Sequence, residues 1–398
     1  MTPTTGPSPA TSRLLNLAHA IDHMFLLIFA TAVSSIAVEF GFTRWEDLMP
    51  YSVGAAALFG FGSLPAGRLG DLWGRRNMML VFYFGMGASA LLAATVQNAW
   101  QMAAALTVLG AFSAIYHPVG IPMLVQHSKN PGLTIGFNGL IGNLGIALSA
   151  VVTGLLVKYF GWRMAFVVPG FFSIAVGVAF AMVAPQESEP PAKRTTKAAT
   201  LPRAEMLRVI AVMIATAITS AIVFNTTTNG NQQLLTERLR GVVEDPATLG
   251  ALLSLVYVVA SFAQIIVGRA IDRYPLKRIF LIVVAMQAPF FALAAISDGW
   301  VMMLLQVGFM VSVFGAIPFT DAMLVRYVDD SMRSRVSGMR LTISFGFSSL
   351  AVWMLGPAVK AAGFQTLLLV LAGVGLVTVF IVMMLPDDRQ HAQAAPAN

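Results

Sequence analysis

The stretch "GRLGDLWGRRNMML", Gly67–Leu80, and its echo "GRAIDRYPLKRIFL", Gly268–Leu281, decide how this chain is built. Each opens on Gly-Arg with an aspartate four places after the glycine, each lies between two long apolar runs, and the copies stand 201 residues apart. At an offset of 200, Pro118, Met123, Leu124 and Val125 match Pro318, Met323, Leu324 and Val325. The chain therefore reads as one unit duplicated.

The rest of the sequence says what was duplicated. It is 57% hydrophobic and 11% charged, whereas a soluble domain is near half apolar and about a quarter charged. Runs of about twenty apolar residues, each enough to cross a roughly 30 Å hydrocarbon core as a helix, follow one another along almost the whole length. Twelve spans are predicted: 14–38, 49–68, 78–97, 101–126, 133–157, 164–183, 208–234, 248–270, 278–297, 301–325, 335–360 and 365–385. Spans of this length exclude a barrel, whose strands need only about ten residues each. The expected fold class is all-α and integral to the membrane, with twelve transmembrane helices in two pseudo-symmetric six-helix bundles.

The domain boundaries follow from the polar stretches. Residues 1–13 form an N-terminal arm, 14–185 the first bundle, 186–207 a linker, 208–386 the second bundle and 387–398 a tail. The arm lacks the small-residue cleavage site of a signal peptide, so the first span is expected to be retained. The linker lies in "PQESEPPAKRTTKAATLPRAEMLR", rich in Pro, Lys and Arg.

A net charge of +7 invites a nucleic-acid partner, but the placement of the basic residues argues against one. With the N-terminus inside, only Arg44, Lys158, Arg163, Arg238, Arg240 and Lys360 fall outside, out of 25 Lys and Arg. That is the positive-inside bias. It predicts a multi-pass protein of the plasma (inner) membrane with both termini cytoplasmic and the lipid bilayer as its main partner. Cysteine is absent, which excludes disulfides, thiolate nucleophiles and Cys-type zinc sites. No phosphate-cradling GxxxxGK is present, and no cofactor is expected.

With these residues in view, "GRLGDLWGRR" resembles the signature that the major facilitator superfamily carries between its second and third helices, and the copy from Gly268 sits where that family keeps a second one. The resemblance covers essentially the whole chain. It implies a transporter, not an enzyme, in which Gly67, Arg68, Asp71, Arg75 and Arg76, with Gly268, Arg269 and Asp272, brace the halves when the cytoplasmic side is shut. On the residues alone, Gly67 admits a neighbouring helix, Asp71 suits a helix N-terminus, and the arginines suit the cytoplasmic interface. The copy departs at Pro275 and Leu276, where the first has Gly74 and Arg75. Asp321 and Arg326 are placed to form a further gating pair, with a solvated pair as the alternative.

A finer resemblance rests on "HAID" in the first span, "YHPVG" in the fourth and "GLIGNLG" in the fifth, which together are similar to the fosmidomycin-resistance branch of efflux carriers. Two hallmarks of drug antiporters are missing. The arginine expected four residues before Gly110 is Leu106, and "GNLGIALSAVVTG" lacks the Gly-Pro of the fifth-helix signature.

Polar residues inside the spans are the candidates for function, because an ionisable group at the bilayer centre costs roughly 2.5–3.5 kcal/mol and usually lines a pathway or pairs within the bundle. His19, Asp22 and His23 share one helix face. Asp22 lies nine residues beyond Arg13, roughly 14 Å at 1.5 Å per residue, and His117 reaches a similar depth in the fourth span. Asp22 is expected to bind the coupled proton and His19, His23 and His117 to tune or relay it, histidine titrating nearest neutral pH. The plain alternative for each is a structural hydrogen bond.

Pro118 frees a carbonyl of the preceding turn and predicts a kink beside His117. In the seventh span, "FNTTTNGNQQ", Phe224–Gln233, offers uncharged donors and acceptors, with Gly230 where a helix would bend or break. Asn225 and Asn229, with Asn143 and Gln264, are the expected substrate-binding residues.

The function expected is secondary active transport by a monomer, exporting a small organic molecule in exchange for protons by alternating access. Two alternatives use the same residues. Three imidazoles and a carboxylate also suit a divalent transition metal as cargo, and an intramembrane metal-dependent enzyme would need similar ligands.

Overall fold

The computed structural model describes residues 7–125, 131–186, 203–327 and 330–386. Among the described residues, each of the twelve expected spans falls largely on helix. Helix α1 is Pro9–Glu39, α2 Val53–Trp73 and α3 Arg75–Ala93, while α4 comprises Ala99–Ser113 continued by a π-helical turn, Tyr116–Gly120, and Ile121–Val125. Then follow α5 Pro131–Phe160, α6 Met164–Val183, α7 Arg203–Arg238, α8 Pro246–Arg273, α9 Leu276–Ala285 with Gln287–Ala295, and α10 Gly299–Tyr327. The last helical stretch, Asp330–Met383, is broken at Gly363, which splits it into α11 and α12. Among the described residues, nine stretches are long and apolar enough to cross a membrane by length and composition, the last of them spanning both α11 and α12.

Local chemistry sets the ends. Ser8 accepts a hydrogen bond from the Thr11 amide and Pro9 opens α1, supplying an acceptor for a donor without an intrahelical partner and a pre-set φ. Asn98 caps α4 in the same way through the Gln101 amide. The turn between α2 and α3 is made by Gly74 at φ 90°, and Gly363 breaks its helix at φ 74°. Side chains disfavour both values.

Within the first six helices α1 packs on α5, α2 on α4 and α3 on α6; within the second six α7 packs on α11 and α8 on α10. The two sets meet along α5 with α8 and along α2 with α11. Adding six to each helix number exchanges these two seams, as the internal duplication requires.

At the end opposite the termini the seams are tight. A Cβ on Gly154 would lie 2.7 Å from the Pro246 carbonyl oxygen, one on Gly250 2.5 Å from that of Ala150, and one on Gly356 2.2 Å from that of Glu46. Only glycine leaves room for backbone to pass so closely. Ser34 of α1 donates to Gln233 Oε1 of α7 at 2.9 Å across the same end.

Two ion pairs join the halves there, and they are counterparts under the duplication. Lys158 near the end of α5 contacts Asp245, the cap of α8, at 2.7 Å, and Lys360 of α11 contacts Asp47, just before α2. Of the other basic residues at this end, Arg44 pairs with Glu46, Arg163 with Glu39 and Arg238 with Asp298.

The hydrogen bond from Lys158, followed by those from Thr248, pushes the Asp245 carboxyl down to about 2. A carboxyl depressed below its ordinary range contributes its pairing above that range and loses it only as pH falls through about 2. The α5–α8 pair is therefore expected to be unaffected between pH 5 and 8. Removing both cations (Lys158→Ala with Lys360→Ala) is expected to raise cysteine labelling of this end by roughly two- to fivefold, the scale of exposed pairs. Unchanged labelling of a single cysteine placed there would show that the pairs do not hold it closed.

Candidate functional site

The predicted His/Asp cluster is assembled where α1 meets α4 and α5. Asp22 is fully buried, and its Oδ1 accepts a hydrogen bond from Ser113 Oγ of α4. Its other oxygen, Oδ2, has no hydrogen-bond partner among the described residues and lies 3.7 Å from His117 Nε2. His117 stands in the π-helical turn, so the expected disturbance beside Pro118 takes the form of one widened turn. Its side chain is 23% exposed and leaves the cluster open on one side. The charge of Arg340 on α11 acts on His117 across the bundle interface.

The histidines have definable roles. His19 Nδ1 lies 2.8 Å from the Asn138 carbonyl oxygen of α5, which can only accept, so Nδ1 carries the hydrogen. In the neutral ring Nε2 then holds a lone pair. His23 Nε2 lies 3.1 Å away and donates to it, which leaves His23 Nδ1 a buried acceptor without a partner among the described residues.

The Asn138 side chain donates to Asn16 Oδ1 at 2.8 Å and to Tyr116 Oη at 2.7 Å, and the Tyr116 ring stacks on His19 with centroids 4.8 Å apart. Gly142 makes space for the cluster, since a Cβ there would come within 2.6 Å of the His19 ring. The three imidazoles each offer a nitrogen within 4.8 Å of the others.

Ser113, Tyr116, Asn16 and the Asn138 carbonyl were not among the expected site residues. Ser113, four residues before His117, and Asn16, three before His19, carried a local signal, each on the same helix face as its histidine. The other contacts cross between helices that sequence spacing does not orient.

Of the expected substrate residues, Asn225 and Asn229 bond within α7 and to α11. Asn225 donates to Ser348 of α11 at 2.9 Å and to the Ala221 carbonyl, and Asn229 donates back to Asn225 O at 2.9 Å. Thr227 and Thr228 also bond carbonyls of their own helix, while Asn231 reaches Tyr257 Oη at 3.3 Å. The expected break at Gly230 is corrected: α7 is helical without interruption from Arg203 to Arg238. Asn143 is buried, with Nδ2 unpartnered among the described residues. Gln264 of α8 lies on the α5–α8 seam, its Oε1 3.1 Å from where a Gly139 Cβ would be.

Of the expected gating residues, Gly67 faces Pro118, with 3.3 Å available to a Cβ, whereas its counterpart Gly268 has nothing within 4 Å. Arg68 is exposed. Arg76 donates to the carbonyls of Ala181 and Ala184 at 2.7 and 2.8 Å. It therefore serves the end of α6 in its own half, where a cation is favoured. The side chains of Asp71, Asp272, Asp321 and Arg326 lie outside the described residues, as do residues 1–6 of the arm, most of the linker and the whole tail.

Twelve helices duplicated as six and six, with an acid and three histidines held inside, define a multi-pass membrane protein of carrier type. The Major Facilitator Superfamily model matches residues 15–236 and 241–398, and the chain belongs to that family.

It is similar to a probable actinorhodin transporter of Streptomyces coelicolor, 28% identical over 35% of this chain and 25% of that one. It is likewise similar to the multidrug efflux pump LfrA of Mycolicibacterium smegmatis, 30% identical over 37% and 29%. The matched part spans between 21% and 39% of the length of the curated relatives. In three dimensions it resembles a bacterial homologue of the human lysosomal transporter Spinster, crystallised inward-facing and unoccupied. The TM-score is 0.74 at 13% identity over 98% of this chain and 100% of that one.

Proposed function

We propose that this protein is a secondary active carrier that exports a small organic molecule by alternating access and takes up protons at Asp22 in exchange. The observation that carries the proposal is Asp22 itself. It is fully buried in a membrane-spanning helix, with one oxygen held by Ser113 and the other facing His117 without a partner. An ionisable group so placed marks an ion pathway or relay.

The relatives named for efflux and antibiotic resistance favour export. "HAID", "YHPVG" and "GLIGNLG" support the fosmidomycin-resistance-type branch, and the basic residues support an inner membrane with both termini cytoplasmic. A single chain holds both halves and works as a monomer.

Asn143, Asn225, Asn229 and Gln264 supply polar wall, and a neutral or amphipathic cargo suits their uncharged groups. The brace of Gly67, Arg68, Asp71, Arg75 and Arg76 with Gly268, Arg269 and Asp272, and the pair Asp321–Arg326, would close the cytoplasmic end. In that state the seams opposite the termini open. Transport is the whole activity, and no covalent chemistry is assigned to the cluster.

The test is a resistance screen with the gene deleted and overexpressed, followed by inverted membrane vesicles. A compound to which overexpression confers resistance should dissipate an imposed pH gradient in vesicles that contain the carrier. If every such compound leaves the gradient intact, proton exchange is wrong.

A further inference from the structure

We infer that His19, His23 and His117 form a binding site for a divalent transition metal, and that a metal bound there, beside Asp22, arrests the carrier. The inference rests on the proposed proton coupling for its consequence but not for the site, which is a matter of geometry.

Two nitrogens on one tetrahedral zinc, each about 2.0–2.1 Å from it, stand roughly 3.3 Å apart. His19 Nε2 and His23 Nε2 are 3.1 Å apart, and His117 offers its nitrogen within 4.8 Å of both. His117 closes the set from a π-helical turn, a local widening of the helix.

The groups around His19 are those that a metal site requires, while the charge of Arg340 acts against a cation at His117. A ligating histidine usually donates its other N–H to a carbonyl or carboxylate, which fixes the tautomer. His19 does so through Nδ1 to the Asn138 carbonyl, and its Nε2 lone pair points at His23.

Metal binding would break the His23 Nε2–H contact with His19. The hydrogen moves to His23 Nδ1, the buried nitrogen that now lacks a partner, so both rings stay neutral and no proton is left over. Asp22 Oδ2 lies 3.7 Å from His117 and has no hydrogen-bond partner among the described residues, so an oxygen is available beside the ion. Three imidazoles select zinc, cobalt, nickel or copper over magnesium or calcium, which require mostly oxygen ligands. The open side at His117 provides access.

The experiment titrates Co²⁺ into the full-length purified protein in detergent, prepared without a polyhistidine tag, and follows the visible absorption bands of cobalt. One equivalent is expected to bind, to be displaced by Zn²⁺, and to be unaffected by excess Mg²⁺ or Ca²⁺. His23→Gln is expected to weaken binding at least about tenfold. The triple variant His19→Gln, His23→Gln, His117→Gln keeps His127 and His391 as a measure of adventitious binding.

Wild-type binding no tighter than that of the triple variant would overturn the site. In proteoliposomes, Zn²⁺ should stop pH-driven transport, and a chelator should restore it. Zn²⁺ that binds without slowing transport would overturn the arrest. Transport that ignores the pH gradient while cobalt still binds would instead remove the proton reading and leave the metal site standing.

Discussion

Transport driven by an imposed pH gradient is expected to fall to background in Asp22→Asn, while exchange of cargo across the same membrane persists. Asparagine keeps the size of the side chain and its capacity to accept from Ser113 Oγ, but it cannot take up and release a proton. The acid has one satisfied oxygen and one that faces His117, so the substitution removes the titrating group with little demand on the packing. His117→Gln should give a milder defect. The double variant should be no worse than Asp22→Asn alone, because residues of one network do not act additively. Proteoliposomes loaded with cargo and subjected to a pH jump provide the measurement. A wild-type rate in Asp22→Asn would end the proposed role of this residue.

The second large effect is expected at the seam between α5 and α8. A Cβ on Gly250 already meets the Ala150 carbonyl oxygen at 2.5 Å and the Gly154 Cα at 3.3 Å, so Gly250→Leu cannot be accommodated by turning a side chain. Backbone must separate from backbone, and the end opposite the termini must open. Transport should be lost, since a carrier that cannot close one end cannot complete a cycle.

The chain contains no cysteine, so a single probe at Gln233, which is buried and bonded to Ser34 across that end, reports cleanly. Labelling of Gln233→Cys by an impermeant reagent should rise from near zero toward completion in the Gly250→Leu background. An unchanged elution profile in detergent would show that the fold is retained. Protection equal to that of the parent would mean that the seam is not a gate. The effect should far exceed that of removing the two lysines, because steric overlap with backbone is not screened by water whereas exposed ion pairs are.

These two positions also divide what could be foreseen from what could not. The presence of Asp22 at bilayer depth, on one face with His19 and His23, follows from helical spacing and distance along the chain alone. Gly250 carried no signal as one glycine among 34, since its importance lies in the carbonyl of Ala150 on another helix.

By itself the sequence determined the all-helical membrane fold, its apolar segments and their duplication, and the common depth of the acid and the three histidines. Membrane partition is set by composition summed along a run, and depth by residue count, so both are one-dimensional quantities. Only the tertiary structure decided that Ser113 and the Asn138 carbonyl orient the cluster and that His117 sits in a π-helical turn. It also decided that α7 passes Gly230 unbroken, that Arg76 serves its own half, and that Lys158 and Lys360 join opposite halves through matched aspartates. Each of these depends on how a helix is rotated about its axis and slid against its neighbour. In an almost uniformly apolar chain, packing between specific surfaces fixes that rotation, and the polar pattern alone does not.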